Sequence, residues 1–227
     1  MPSEHPETIL ILGGTAEAFR LAEQMTANGG TRVITSLAGR TREPVLPPGD
    51  VRIGGFGGVE GLIAYVRENG VTRIIDATHP FARRISENAI RAAAETGVTL
   101  EHVVRPGWQR QRGDRWQEVS TLADAAHALP SGAVVFLALG RQYLDAFSSR
   151  DDCRFVIRMV DEPAGPLAFA DYTLIVGKPS EDPAREADLF STHGVTHLVC
   201  RNSGGAAGYG KIAAAREIGL RVVMISR

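Results

Sequence analysis

Apolar residues in this chain alternate between short unbroken runs and helical spacing. Thr8-Ile-Leu-Ile-Leu12 is a continuous run that ends in Gly13-Gly14-Thr15, and apolar positions then recur at Ala18, Leu21, Ala22 and Met25. A glycine-bounded run of that length predicts a buried strand and a tight turn. The spacing of three and four after it predicts an amphipathic helix. The alternation continues with strands over 32–36, 51–53, 73–76 and 99–104 and helices over 59–68 and 81–95. From Arg105 to Asp114 the periodicity lapses into Arg, Gln, Gly and Pro around Trp108, which reads as a crossover between two lobes. Beyond it the pattern resumes, with strands over 116–119, 133–139, 154–160, 172–176, 197–200 and 221–225 and helices over 122–129, 184–192 and 210–218. Strands that alternate with helices imply an α/β fold with mostly parallel, doubly wound sheets flanked by helices. Two lobes of roughly 100 residues each suit the length, with boundaries at 1–104 and 105–227.

Composition narrows the picture by exclusion. An apolar content of 44% against 22% charged residues provides for a packed core, not a disordered chain. The formal charge of -1 gives no footprint for nucleic acid or an anionic membrane, so any anionic ligand has to be held by local clusters. Cys153 and Cys200 have no metal-type spacing and read as reduced thiols. No stretch resembles a secretory signal, and the apolar run over 133–139 is too short to span a bilayer, so a cytoplasmic location is expected. The expected assembly is a monomer or a weak homo-oligomer.

A strand that ends in glycines and feeds a helix gathers free amides and the positive end of the helix at one point, which suits a phosphate. Gly13, Gly14 and Thr15 would form that cradle, with Ala16 and Glu17 opening the helix. The dinucleotide fingerprint G-x-G-x-x-G/A is matched at Gly13 and Ala18, while Thr15 replaces the middle glycine. The same residues also suit a plain strand-to-helix turn. In NAD sites the second strand closes on an acid, about 20 residues past the glycines, that binds the ribose 2′-hydroxyl. Here Ser36-Leu37-Ala38-Gly39-Arg40 stands instead, followed by Arg42. A hydroxyl, open amides and guanidinium groups accept a 2′-phosphate that a carboxylate would repel, so the residues favour NADPH over NADH. Gly54 and Gly55, in the Gly-rich stretch after the third strand, allow close approach of the adenosine, or serve as a purely structural loop.

Two further motifs sit at strand ends. Asp76-Ala77-Thr78-His79-Pro80-Phe81-Ala82 follows the fourth strand, with Pro80 suited to a first helical turn and Ser86 one turn on. Thr78 reads either as a ligand contact or as a helix cap. Near the end of the chain, Arg201-Asn202-Ser203-Gly204-Gly205 follows a strand and Lys211 lies in the next helix, a set able to hold carboxylates or a pyrophosphate, or simply to cap a helix.

Together, the Gly13–Glu17 turn, the Asp76–Ala82 motif and the Arg201–Gly205 turn followed by Lys211-Ile-Ala-Ala-Ala215 resemble the precorrin-6A reductase family of cobalamin biosynthesis. The resemblance runs over essentially the whole chain. It implies two Rossmann-like lobes with a ligand cleft between them, the first binding NADPH through Gly13, Gly14, Thr15, Ala16, Glu17, Ser36, Ala38, Gly39, Arg40, Gly54, Gly55, Asp76, Ala77 and Thr78, and the second contributing to substrate binding. It implies NADPH-dependent reduction of one macrocycle double bond of precorrin-6A to give precorrin-6B, without a metal in the protein. A polycarboxylated tetrapyrrole needs cationic and polar anchors, for which Arg83, Ser86, Arg141, Arg201, Asn202, Ser203, Gly204 and Lys211 are the candidates, and His79 is the candidate proton donor. Arg201 stands where the family usually has Lys, and Gly177-Lys178-Pro179-Ser180 where it often has Gly-Pro-Phe. Three alternatives stay open: a cobalt-precorrin-6A reductase, a non-redox two-lobed tetrapyrrole enzyme, and an NADP-sensing module without catalysis.

Overall fold

The computed structural model describes residues 7–39 and 44–227. The chain divides into two compact units, Met1–Val104 and Arg105–Arg227.

The first unit is a five-stranded parallel sheet of β1 (Glu7–Leu12), β2 (Thr31–Leu37), β3 (Asp50–Ile53), β4 (Arg73–Asp76) and β5 (Thr99–His102), in the order β3-β2-β1-β4-β5. Helices α1 (Ala16–Ala27), α2 (Val59–Glu68) and α3 (Arg83–Thr96) cover it. The unbroken apolar run of β1 follows from burial on both faces. Leu10 and Leu12 pack with Leu62, Ile63 and Val66 of α2 and Ala89 and Ala92 of α3, while Ile9 and Ile11 pack against Ala18 and Ala22 of α1. The strand order reverses between β1 and β4, which opens the carboxyl edge of the sheet there.

The second unit is a six-stranded parallel sheet of β6 (Arg115–Val119), β7 (Val134–Ala138), β8 (Arg154–Met159), β9 (Tyr172–Val176), β10 (His197–Arg201) and β11 (Arg221–Ile225), in the order β6-β11-β10-β7-β8-β9. Val135, Leu137, Phe155, Ile157 and Val223 face one layer, with α4 (Leu122–His127) and a 3₁₀ segment over Arg141–Phe147. Phe136, Val156, Leu198, Cys200, Val222 and Met224 face the other, with α5 (Pro183–Thr192) and α6 (Gly210–Glu217). Both cysteines are buried free thiols, and burial pushes Cys200 up to about 11. In this layer Arg158 and Glu186 form a buried ion pair, Nη2 to Oε2 at 2.9 Å. The second carboxylate oxygen of Glu186 accepts the Ser180 N–H at 2.8 Å, which ties β8, α5 and the turn after β9 together.

Beyond shifts at strand ends, such as β5 closing at His102 instead of 104, the observed elements depart from the sequence pattern at four places. Helix α3 starts at Arg83, two residues later than the periodicity predicts. The Asp76 carboxylate takes the N–H and hydroxyl of Thr78, and the carbonyl and Nδ1 of His79 take the N–H groups of Ala82 and Phe81, so local bonds hold this stretch as a turn instead of a helix. Pro80 therefore lies in that turn, and Thr78 caps no helix. Helix α4 ends at His127, because Leu129 precedes Pro130 and is disfavoured from helical geometry. The 3₁₀ segment was unassigned by pattern, since it is too short for helical periodicity; it buries Leu144 and Phe147, three residues apart. The stretch from Arg105 to Asp114 is an ordered strap of the second unit, not only a crossover. Trp108 is buried against the core and Asp114 pairs with Arg216 at 2.9 Å.

Candidate functional site

At the carboxyl edge of the first sheet the loops after β1, β2 and β4 are laced together. The Gly13 N–H donates to the Ser36 carbonyl at 2.9 Å. The Thr15 hydroxyl caps α1 by accepting the Ala18 N–H at 3.1 Å and donates to the Ala77 carbonyl at 2.7 Å. The two glycines are required for different reasons. Gly14 has φ +98°, while a Cβ on Gly13 would lie 3.0 Å from the Thr35 methyl. The amides of Gly14, Thr15 and Ala16 find no acceptor among the described residues, and they open the helix whose dipole favours an anion. Glu17 is 3.4 Å from Arg20 in the same first turn.

Asp76 is buried, and its oxygens serve Thr78 and, at 3.4 Å, His102, so the carboxylate shapes the turn. Ser36 is the penultimate residue of β2, and Ala38 and Gly39 are exposed beyond the strand. Arg40 and Arg42 lie outside the described residues. Gly39 approaches Gly54, whose N–H donates to the Leu37 carbonyl at 2.8 Å, and Gly55 follows in the same loop. One residue here was missed by sequence reasoning. Arg52 pairs with Ser36 across β2 and β3, donates to the Ser36 hydroxyl at 3.1 Å and to the carbonyls of Gly54 and Gly55 at 2.7 and 3.0 Å, and stacks 3.9 Å from the centroid of Phe56. It belongs to no motif; only the register of β3 against β2 reveals it.

His79 is exposed on the turn after β4. Because its Nδ1 accepts the Phe81 N–H at 3.3 Å, the neutral ring carries its hydrogen on Nε2. Arg83 and Arg84, both exposed, occupy the first turn of α3, which contains no acid, so the sequence places two cations against the positive end of a helix. Ser86 is half-buried on the same turn.

At the carboxyl edge of the second sheet, β7 and β10 are neighbours, which brings Arg141 and Tyr143 of the 3₁₀ segment to the same edge as Arg201. The Arg201 guanidinium lies 3.5 Å from the Tyr143 ring centroid. Asn202 and Lys211, both expected as substrate anchors, have contacts within the unit. The Asn202 amide accepts the Trp108 N–H at 2.7 Å and donates to the Trp108 carbonyl at 3.0 Å, while the Trp108 indole donates to the Gly205 carbonyl at 2.9 Å. Lys211 is 7% exposed, donates to the Gly208 carbonyl at 2.6 Å and lies 4.7 Å from the Trp108 ring centroid. Burial lowers its pKa, so it braces the turn from within instead of presenting a charge to solvent. The Arg227 guanidinium donates to the carbonyls of Asn202, Ser203 and Arg105. Gly204 has φ +68° and no space for a side chain, since a Cβ would lie 2.0 Å from the Pro106 carbonyl oxygen. The turn is thus clamped on both sides, and Arg201, Ser203 and the neighbouring Arg141 remain as its polar face.

Among the described residues no helix is long and apolar enough to cross a membrane, and no group of three or more His, Cys, Asp or Glu is placed to hold a metal ion.

Comparison with known proteins covers nearly the whole chain. The family model of precorrin-6x reductase CbiJ/CobK matches residues 8–227. A precorrin-6A reductase of Rhodobacter capsulatus is 45% identical over 220 residues, covering 96% of this chain and 87% of the relative. A cobalt-precorrin-6A reductase of Priestia megaterium is 31% identical over 231 residues, covering 96% and 90%. A solved structure of the CobK precorrin-6A reductase superimposes with a TM-score of 0.94 at 44% identity, covering 97% of this chain and 88% of that one. With the two parallel sheets, the glycine turn after β1 and the clamped Arg201–Gly205 turn on the same polypeptide, the chain belongs to the precorrin-6x reductase CbiJ/CobK family.

Proposed function

We propose that this protein is an NADPH-dependent precorrin-6A reductase, which reduces one double bond of the macrocycle to give precorrin-6B in cobalamin biosynthesis. The observation that carries the reading is the 45% identity to a precorrin-6A reductase across 96% of the chain. The residues of the first unit fit the cofactor: the open amides of Gly14, Thr15 and Ala16 suit its pyrophosphate, and the edge formed by Ser36, Ala38 and Gly39, without a carboxylate, suits a 2′-phosphate. When bound, NADPH supplies the hydride. In this reading His79 donates the accompanying proton as the imidazolium, formed when Nδ1 gives up the Phe81 N–H and takes a proton, and Arg83, Arg141 and Arg201 hold acetate and propionate arms of the substrate, with Ser86 and Ser203 adding hydroxyl contacts. Lys211 and Asn202 act indirectly, by fixing the turn that presents Arg201.

The metal-free ring is preferred over the cobalt-bound one because identity to the Rhodobacter precorrin-6A reductase exceeds that to the Priestia cobalt-precorrin-6A reductase, 45% against 31%. The test is anaerobic incubation with NADPH and precorrin-6A, followed by absorbance and mass analysis. A product two hydrogens heavier, formed as NADPH is consumed, is expected. An unchanged macrocycle with unconsumed NADPH would overturn the assignment, and turnover of cobalt-precorrin-6A alone would favour the cobalt reading.

A further inference from the structure

We infer that Arg52 is the residue that selects the phosphorylated cofactor, by receiving the adenosine 2′-phosphate at the carboxyl edge of β2 and β3. The inference rests on the NADPH reading above and names the residue that enforces it. A nucleotide fold that prefers NADH places an acid at the end of its second strand. In this chain β2 ends in Ser36-Leu37 with no acid at either position, and the register partner of Ser36 on β3 is Arg52. The guanidinium lies 3.1 Å from the Ser36 hydroxyl, so a permanent positive charge stands beside the strand end at which the competing design has a negative one.

Three features indicate that this charge is built to meet an anion. Its orientation is fixed in advance, by the carbonyls of Gly54 and Gly55 on one side and the Phe56 ring beneath it. Tyr65 adds a second ring 5.2 Å away. Among the described residues no carboxylate reaches Arg52, although the neighbouring Arg32 on β2 is paired with Asp50 at 2.8 Å. Donors also remain: Nη1 makes two of the three hydrogen bonds and Nη2 the third, which leaves the Nε hydrogen and one Nη2 hydrogen of the five available. A half-buried guanidinium with no counterion and two donors left among the described residues, and with its plane held by stacking, is a prepared site for a phosphate monoester. The glycines around it keep the approach open, since a Cβ on Gly54, Gly55 or Gly57 would meet no atom within 4 Å.

The test compares wild type, Arg52→Ala and Arg52→Lys, with dissociation constants for NADPH, NADH, adenosine 2′,5′-bisphosphate and 5′-ADP by calorimetry. The wild type is expected to prefer NADPH over NADH and to bind the 2′,5′-bisphosphate. Arg52→Ala should weaken NADPH and the bisphosphate by roughly 10- to 100-fold, the range of a lost charge-assisted contact, and change NADH and 5′-ADP by less than about 3-fold. Arg52→Lys should recover part of the preference, since it keeps the charge without the fork. Steady-state turnover with saturating NADPH should keep its kcat while KM for NADPH rises. A wild type that binds NADH as well as NADPH would refute the cofactor reading itself. A wild type that prefers NADPH, with Arg52→Ala retaining the same preference, would overturn this inference alone. Equal losses of NADPH and NADH would also overturn it, since they would make Arg52 a brace of the Gly54–Gly55 loop.

Discussion

Replacing Asn202 with Ala separates two roles that the sequence does not distinguish, contact with substrate and support of the Arg201–Gly205 turn. In the folded protein the Asn202 amide satisfies both backbone groups of Trp108, at 2.7 and 3.0 Å. Truncation strips a donor and an acceptor of their partners beside a tryptophan that is only 8% exposed. An unpaired buried polar group costs about 1–3 kcal/mol. Because this pair is partly reachable by water, the lower end applies to each, and a loss of about 2 kcal/mol is expected. For a chain of this size that corresponds to a fall in Tm of roughly 4–8 °C. Thermal unfolding followed by far-ultraviolet circular dichroism, run beside steady-state kinetics, reads both roles at once. Asn202→Asp keeps the acceptor for the Trp108 N–H but sets an anionic oxygen against the Trp108 carbonyl, so at neutral pH it should destabilise at least as much as Ala. An unchanged Tm with a raised KM for the tetrapyrrole would refute the reasoning and return Asn202 to direct substrate contact.

Three more substitutions probe other parts of the framework. Glu186→Gln leaves Arg158 charged, buried and without its counterion, and should cost about 3–5 kcal/mol in urea unfolding; a loss below 1 kcal/mol would show that the pair is not held as described. Gly14→Ala forces a side chain to φ +98° and should lower stability by about 1–2 kcal/mol while raising KM for the nicotinamide cofactor, and a variant indistinguishable from wild type would count against the cradle. Arg150 bonds both oxygens of Asp152 at 2.7 and 2.9 Å and holds its carboxyl down to about 2 from the ordinary 3.8. A depressed carboxyl stabilises the fold fully above its unfolded value and loses that effect as pH falls toward the folded one. The Tm gap between wild type and Asp152→Asn should therefore narrow between about pH 4 and pH 2, and a gap that stays constant over that window would contradict the pairing.

The strands were readable because both faces of each sheet are covered, so β1, β7 and β10 appear as apolar runs that need no partner for recognition. The glycine turn was equally readable, since Gly13 and Gly14 mark it in one dimension. What the sequence concealed depends on contacts distant along the chain. Arg52 becomes conspicuous only when β3 is laid beside β2. The contacts of Asn202 and Lys211 with Trp108, which lies 94 positions from Asn202, are equally invisible along the chain. The late start of α3 has a local cause that periodicity does not weigh, the competition of Asp76 and His79 for the amides of the following turn.

The buried Arg158–Glu186 pair also bears on how this lineage can change. Neither residue can drift alone, because each single replacement leaves a stranded charge in the layer beneath α5 and α6, and exchanging both for apolar side chains removes the two charges together but still takes the acceptor from the Ser180 N–H. The two positions therefore behave as one heritable character, and the route between its charged and apolar forms passes through an intermediate that folds poorly. Such a barrier favours keeping the charged form, and with it the Ser180 bond that fixes the turn after β9, through long divergence at the surrounding surface.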